Sequence, residues 1–100
     1  MTTRIEEQDD KFVVTLVGAL DTSSALEMNE ALVPLFIGKG KDILLDCSKL
    51  DYISSTGLRV FLNVLKSAQT SGRQVILKNV NDVVMDVLKM TGFVSYFEFE

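Results

Sequence analysis

The chain has 100 residues, 47% of them hydrophobic and 24% charged, with a formal net charge of -4, one cysteine and no histidine. This composition is typical of a globular domain, and it excludes a disordered segment, imidazole catalysis, the usual zinc sites and an internal disulfide. The acidic balance argues against nucleic acid or an anionic membrane as a partner, and no apolar run reaches the roughly 20 residues of a membrane span. We therefore expect a soluble cytoplasmic protein without metal or cofactor.

Two strands are predicted at the start of the chain, over Thr3 to Glu7 and Lys11 to Gly18, joined by the polar turn Gln8-Asp9-Asp10. The second strand is apolar at nearly every position from Phe12 to Val17. It is therefore predicted to lie inside a sheet that is covered on one face and partly on the other. Gly18 predicts a bend or a close approach of the backbone.

A helix is predicted after Asp21, because apolar residues recur at spacings of three and four to form one stripe: Ala25, Met28, Leu32, Leu35 and Phe36. Residues Asp21 to Ser24 supply several possible N-caps, and Ser24 with Glu27 fits a capping box. Pro34 predicts a kink or an early end of the regular helix, and Gly38 to Gly40 stop it.

A buried strand is predicted over Asp42 to Asp46, parallel to the strand before the helix and followed by a loop from Cys47 to Ser54. Cys47 is predicted to be a small core residue. The next segment is predicted as an amphipathic helix that ends at Ser71-Gly72 and has the apolar positions Leu58, Phe61, Leu62, Leu65 and Ala68.

The last third of the chain predicts a strand over Val75 to Leu77, a helix capped by Asn81 and closed by Gly92, and an edge strand within Val94 to Phe99. The order of these elements predicts one α/β domain over residues 1–100. Its mixed sheet is expected to have four to five strands packed with three to four helices.

The segment from Asp51 to Leu58 is the most unusual chemically. Three consecutive hydroxyl residues, Ser54, Ser55 and Thr56, precede Gly57 between a strand and a helix, where free amides gather and where α/β sheets bind ligands and partners. N-capping alone explains such residues. The other interpretation is that one hydroxyl accepts a phosphoryl group, which would switch association with a partner. A hydrolytic serine would need a base and a Gly-x-Ser-x-Gly elbow, so we do not expect an enzyme.

Three stretches of this sequence resemble the STAS domain, named for sulfate transporters and anti-sigma factor antagonists. They are Gly18-Ala19-Leu20-Asp21, the segment from Leu44 to Leu50 leading into Tyr52 to Leu58, and Met90-Thr91-Gly92-Phe93. The stretches occur in the right order over nearly the whole chain. The hydroxyl-rich turn followed by Gly57-Leu58 is the most specific of them.

Without a transporter segment, the chain is similar to the stand-alone bacterial members of this family, the anti-sigma factor antagonists. The resemblance implies that the unmodified protein binds an anti-sigma factor that is also a serine kinase. Phosphorylation would release the protein, and a serine phosphatase would reset it. The resemblance implies Ser55 as the acceptor. Ser54 stands where many members have aspartate, which leaves Ser54 and Thr56 as alternatives.

The surface expected to contact the partner consists of this turn and the second amphipathic helix: Asp21, Ser54, Thr56, Gly57, Arg59, Asn63 and Lys66. Asp21 matches an acidic position of the family, and helix capping explains it equally well. A solvated polar face likewise explains Arg59, Asn63 and Lys66. The alternative function is a small-ligand or nucleotide-sensing scaffold that is never phosphorylated. In either case we expect a monomer that binds neither nucleic acid nor membrane.

Overall fold

The computed structural model describes residues 2–36 and 41–100. Within these ranges the strands are β1 (Thr2–Glu7), β2 (Lys11–Leu20), β3 (Asp42–Ile53), β4 (Val75–Lys78) and β5 (Glu98–Phe99). The helices are α1 (Thr22–Ala31), α2 (Val33–Phe36), α3 (Ser55–Thr70) and α4 (Asp82–Thr91), followed by a 3-10 helix over Phe93–Tyr96.

The five strands form one mixed sheet in the order β1-β2-β3-β4-β5. β1 and β2 are an antiparallel hairpin, whereas β2, β3, β4 and β5 run parallel to their neighbours. Each parallel connection contains a helix, as parallel pairing requires. The predicted α/β class, with a mixed sheet of four to five strands and three to four helices, is confirmed for the part of the chain described.

The three longer helices pack against one face of the sheet. Alternate residues of β2, β3 and β4 share one core with Met28 of α1, Phe61 of α3 and Leu88 of α4. These strand residues are Phe12, Val14, Leu16, Ile43, Leu45, Cys47, Val75 and Leu77. The other face carries Val13, Leu44 and Ile76 in register, and Val13 and Ile76 are half-buried. β2 is therefore an inner strand with one well-covered face, as its sequence predicted.

β3 continues to Ile53, so the predicted loop from Cys47 to Ser54 is wrong up to its last residue. Cys47 itself is buried, and burial together with the charge of Asp46 raises the pKa of its thiol to about 12. Its role as a small core residue agrees with the prediction. The longer β3 carries the sheet directly to the start of α3, because Ser54 follows Ile53 without an intervening loop.

The second half of β3 was not predicted because its buried and exposed residues do not alternate as they do in a regular strand. The register between β2 and β3 shifts between Thr15 and Val17 and again between Gly18 and Ala19. Each shift adds one residue to β3, as a β-bulge does. The buried residues of this half therefore recur every third position instead of every second: Cys47, Leu50 and Ile53. The irregular backbone predicted at Gly18 coincides with the second shift, and its φ is 105°.

The helices largely follow their predicted bounds. α1 ends at Ala31, with Leu32 as its C-cap, and the short α2 contains Pro34, so the predicted early end is confirmed. The predicted stop over 38–40 lies outside the described residues. α4 is capped by Asn81, whose side chain accepts from the Val84 N–H at 2.9 Å, and closes at Gly92 with a φ of 79°. No helix in the described ranges is long and apolar enough to cross a membrane.

The predicted edge strand within Val94 to Phe99 is only partly present. A 3-10 helix occupies Phe93–Tyr96, and β5 pairs with β4 only at Glu98 and Phe99. The tight turn after Gly92 brings Phe97 into the core, where its ring meets Phe61 edge to face at 6.4 Å. Burial of this aromatic ring therefore sets the path of the chain more strongly than local strand propensity does.

Candidate functional site

The candidate site lies where β2 and β3 end side by side. Leu20, the last residue of β2, pairs with Ile53, the last residue of β3. The Ser54 N–H donates to the Leu20 carbonyl at 2.9 Å, which extends this pairing into the start of α3. Because α1 follows β2 after one residue and α3 follows β3 after one residue, the two helix N-termini meet at one corner of the sheet.

Asp21 is the N-cap of α1. Its carboxylate accepts from the Ser24 N–H at 3.0 Å and from the Ser23 hydroxyl at 3.0 Å, while the Asp21 N–H donates to Ser24 Oγ at 2.9 Å. This reciprocal pair is the capping box of the helix, so the predicted pair of Ser24 with Glu27 is wrong. The chain is already helical at Thr22, which puts Ser24 inside the first turn, where it is buried.

The same hydrogen bonds control the charge of Asp21. The Ser24 N–H, the Ser24 hydroxyl and the Ser23 hydroxyl, in that order, lower the pKa of Asp21 from 3.8 to about 2. They do so because donors stabilise the charged carboxylate. Asp21 therefore carries a full negative charge at neutral pH, at the corner where the two helices begin.

The lowered pKa predicts how stability changes in acid. Because the folded value lies below the ordinary one, the stabilisation by Asp21 is complete above pH 3.8 and is lost as the pH falls through about 2. Urea unfolding of the wild type and of Asp21→Asn, which keeps a capping side chain without the charge, isolates this contribution. The wild type should be the more stable of the two near pH 6, and the difference should disappear towards pH 2. A difference that stays constant over this range would contradict the assignment.

The residues of the turn before Leu58 have different surroundings. We call this segment the hydroxyl turn; it consists of Ser54, Ser55, Thr56 and Gly57. Ser54 is the N-cap of α3, half-buried, and its Oγ accepts from the Gly57 N–H at 3.0 Å. Ser55 is the first residue of α3 and is exposed, and its hydroxyl forms no hydrogen bond with any residue in the described ranges. Thr56 is half-buried. Of the three hydroxyl residues, Ser55 is the most exposed, and its hydroxyl is not engaged with the described residues as that of Ser54 is.

Gly57 is buried, and the structure gives it a packing role. A Cβ atom at this position would lie 2.6 Å from Leu20 Cγ and 2.7 Å from the Leu20 carbonyl oxygen. The first turn of α3 can therefore approach the end of β2 only without a side chain here. Gly57 was predicted among the partner contacts, and its packing against β2 was missed. The sequence signal for this packing was a glycine at the third position of the helix, followed directly by an apolar residue.

The exposed residues predicted on the helix after the turn are found on α3, and two of them line a groove that α3 forms with α1. Arg59 and Asn63 line a groove between α1 and α3, and Asn63 Nδ2 donates to Asn29 Oδ1 at 3.3 Å across it. Lys66 lies further along α3 and is also exposed, but it does not line this groove. The lining residues, here called the α1–α3 groove, are Thr22, Ala25, Leu26 and Asn29 of α1 with Thr56, Arg59, Val60 and Asn63 of α3.

Leu26 is a residue of this corner that was not predicted from the sequence. Its side chain is 64% exposed, although leucine is usually buried. The helical spacing assigned Ala25 and Met28 to the core face, and Leu26 lies outside that stripe. An apolar residue off the core stripe of an amphipathic helix was the signal that would have identified it.

The surroundings of the Ser55 hydroxyl are suited to receiving a negatively charged group. The Ser55 hydroxyl is exposed at a helix N-terminus, where negative charge is favoured. Within the described residues, no carboxylate accepts a hydrogen bond from this hydroxyl.

Comparison with known proteins identifies the family of this chain. The family model of the STAS domain matches residues 2–100. BtrV of Bordetella bronchiseptica, named as a candidate anti-sigma factor antagonist, is 33% identical over 94 residues, which cover 93% of this chain and 80% of BtrV. The anti-sigma-B factor antagonist of Staphylococcus aureus is 28% identical over 85 residues, covering 85% of this chain and 79% of that protein.

Solved structures agree with the sequence comparison. The crystal structure of a candidate anti-sigma factor antagonist from Thermotoga maritima matches with a TM-score of 0.88 and 26% identity, covering 97% of this chain and 84% of that one. The family model, the related sequences and the solved structure thus all match this chain over most of its length. This chain belongs to the STAS domain family, and its homologues are named as anti-sigma factor antagonists.

Proposed function

We propose that this protein is an anti-sigma factor antagonist that acts by partner switching. The unmodified form binds an anti-sigma factor that is also a serine kinase. Within that complex the Ser55 hydroxyl oxygen attacks the γ-phosphorus of ATP, ADP leaves, and the hydroxyl proton passes to a base of the kinase. The phosphorylated protein dissociates, and a serine phosphatase hydrolyses the phosphate to restore Ser55. The observation that carries this proposal is the exposed, unbonded hydroxyl of Ser55 in the turn that marks the family.

Exposure favours Ser55 over both neighbours, and hydrogen bonding favours it over Ser54. The Ser54 oxygen is engaged with the Gly57 N–H, and both Ser54 and Thr56 are half-buried. A kinase must approach the hydroxyl within bonding distance and align it with ATP, which requires an accessible side chain. Ser55 meets this requirement without giving up a hydrogen bond to residues 2–36 or 41–100.

Phosphorylation of Ser55 is expected to leave the fold intact. The group would be attached at the first position of α3, where the helix dipole favours negative charge by about 0.3–1 kcal/mol at an exposed site. The Ser55 hydroxyl would lose no hydrogen bond to any residue that the structure describes. The modified protein should therefore differ from the unmodified one in its surface charge and not in its architecture.

The added charge supplies the reason for release. A phosphate would bring the formal net charge from -4 to about -6 and would concentrate it at one corner of the molecule. The ionised carboxylate of Asp21 lies at the same corner. A partner that binds the uncharged hydroxyl in a desolvated interface would then face two negative groups, and like charges in such an interface cost several kcal/mol.

The proposal is tested with the purified protein, its kinase and ATP. Trypsin should release the peptide from Leu50 to Arg59, which contains all three hydroxyl residues. Fragmentation of this peptide by mass spectrometry should locate one phosphate on Ser55, and Ser55→Ala should remain unmodified. An unmodified peptide, with a kinase shown to be active, would contradict the proposal and favour the ligand-sensing scaffold. A phosphate on Ser54 would overturn the choice of acceptor.

A further inference from the structure

The α1–α3 groove is a second feature of the corner that contains Ser55. We propose that it seats an apolar side chain of the anti-sigma factor, with Leu26 as the main contact and Arg59 facing an acidic residue of the partner. This inference rests on the proposed function and names the part of the surface that selects the partner. It adds α1 to the expected partner-binding surface, which otherwise consists of the hydroxyl turn and α3.

The shape and lining of the groove suit a single side chain. Its floor includes Ala25 and Val60, which are 1% and 5% exposed, whereas Leu26 at its border is 64% exposed. The volume is about 190 Å³. Pockets for drug-sized ligands or cofactors measure roughly 300–1,000 Å³, so this groove is too small for a nucleotide. One apolar side chain inserted beside Leu26 would remove both from water, as in the anchor pockets of protein interfaces.

The position of the groove links it to the phosphorylation site. Thr56 belongs both to the hydroxyl turn and to the groove lining, next to Ser55 in the chain. A partner that covers Ser55 therefore reaches the groove without a gap. Other exposed apolar residues, such as Met90 and Tyr96, do not line this groove.

The charge of the groove specifies the partner further. Arg59 is the charged residue of the lining, it is exposed, and it forms no ion pair with any described residue. An unpaired guanidinium beside an apolar floor is suited to a carboxylate, which it can bind through two parallel hydrogen bonds. The partner segment is therefore expected to present an apolar residue close to an aspartate or glutamate.

The test compares Leu26→Ala with Met90→Ala, a matched truncation of an 80% exposed side chain outside the groove. Both variants should fold, because alanine is a favourable helix residue, and circular dichroism checks this. Calorimetric titration with the recombinant anti-sigma factor should show binding about tenfold weaker for Leu26→Ala, as for the loss of a central anchor. The affinity of Met90→Ala should be that of the wild type.

Two outcomes separate this inference from the function on which it rests. If Leu26→Ala binds like the wild type while Ser55→Asp does not, the groove proposal is overturned and partner switching stands. If the wild type itself fails to bind an active anti-sigma factor, the proposed function is overturned and the groove proposal with it. A lower affinity of Arg59→Ala, with a weaker dependence on salt than the wild type shows, would support the acidic character of the partner segment.

Discussion

Ser55→Asp is expected to weaken binding to the anti-sigma factor by at least about tenfold, or ~1.4 kcal/mol. The substitution puts a permanent negative charge on the first residue of α3, at the same corner as the ionised Asp21. In an interface that excludes water, this charge would be desolvated without a partner. Calorimetric titration of the unphosphorylated variant with the anti-sigma factor measures the effect.

Two controls isolate the position of the charge. Ser55→Ala should bind nearly as well as the wild type, because the Ser55 hydroxyl forms no hydrogen bond within the described residues, and it should not be released when ATP is added. Thr70→Asp adds the same charge to the last residue of α3, about 22 Å away along the helix axis and beyond the Debye length of roughly 8 Å in physiological salt. It should leave binding unchanged. If Ser55→Asp and Thr70→Asp lowered the affinity for the anti-sigma factor equally, this would contradict an effect of charge at the position of Ser55.

Gly57→Ala is expected to lower the free energy of unfolding by about 2 kcal/mol. At an unobstructed helix position, glycine to alanine would stabilise by up to about 1 kcal/mol. Here the new Cβ would lie 2.7 Å from the backbone carbonyl of Leu20, which cannot rotate away as a side chain does. The start of α3 must shift, and the hydroxyl turn with it. Thermal unfolding should show a Tm lower by roughly 8–16 °C, and binding to the anti-sigma factor should weaken as well.

Gly72→Ala is the matched control for this substitution. Gly72 has a φ of +70°, but apart from its chain neighbours no described residue has an atom within 4 Å of the point where its Cβ would be. Alanine there costs backbone strain without a collision in this part of the chain. A loss of about 1–2 kcal/mol is expected from the left-handed conformation alone, with partner binding retained. If Gly57→Ala were as stable as the wild type, or bound the partner equally well, the close approach of α3 to β2 would not determine the site.

The helices were the most predictable part of this fold. α3 and α4 have apolar residues at helical spacing, a capping side chain before the first turn and a glycine at or just after the end. These signals are local, because capping and helical periodicity involve residues three or four positions apart. The hydroxyl turn was located for the same reason: it lies between a strand and the first apolar positions of α3.

The features that were missed depend on contacts between distant segments. The second half of β3 exists because two bulges match it to β2, and its spacing of three has no meaning without that neighbour. Residues Phe93–Tyr96 form a 3-10 helix because Phe97 packs against Phe61 in the core. The capping pair of α1 was missed although it is local, because Asp21 and Ser24 are only three residues apart. The sequence contains several possible caps there, and it does not distinguish between them.

The class of fold, the family resemblance and the short stretch in which a phosphoryl acceptor would lie could all be predicted from the amino-acid sequence. Tertiary structure decided how the residues within that stretch differ: Ser54 caps the helix, Ser55 is exposed, and Gly57 lies against Leu20. Packing also places Leu26 of α1 and Arg59 of α3 on the lining of one groove. Exposure and close approach are properties of segments brought together by packing, so residue type and local spacing alone do not reveal them.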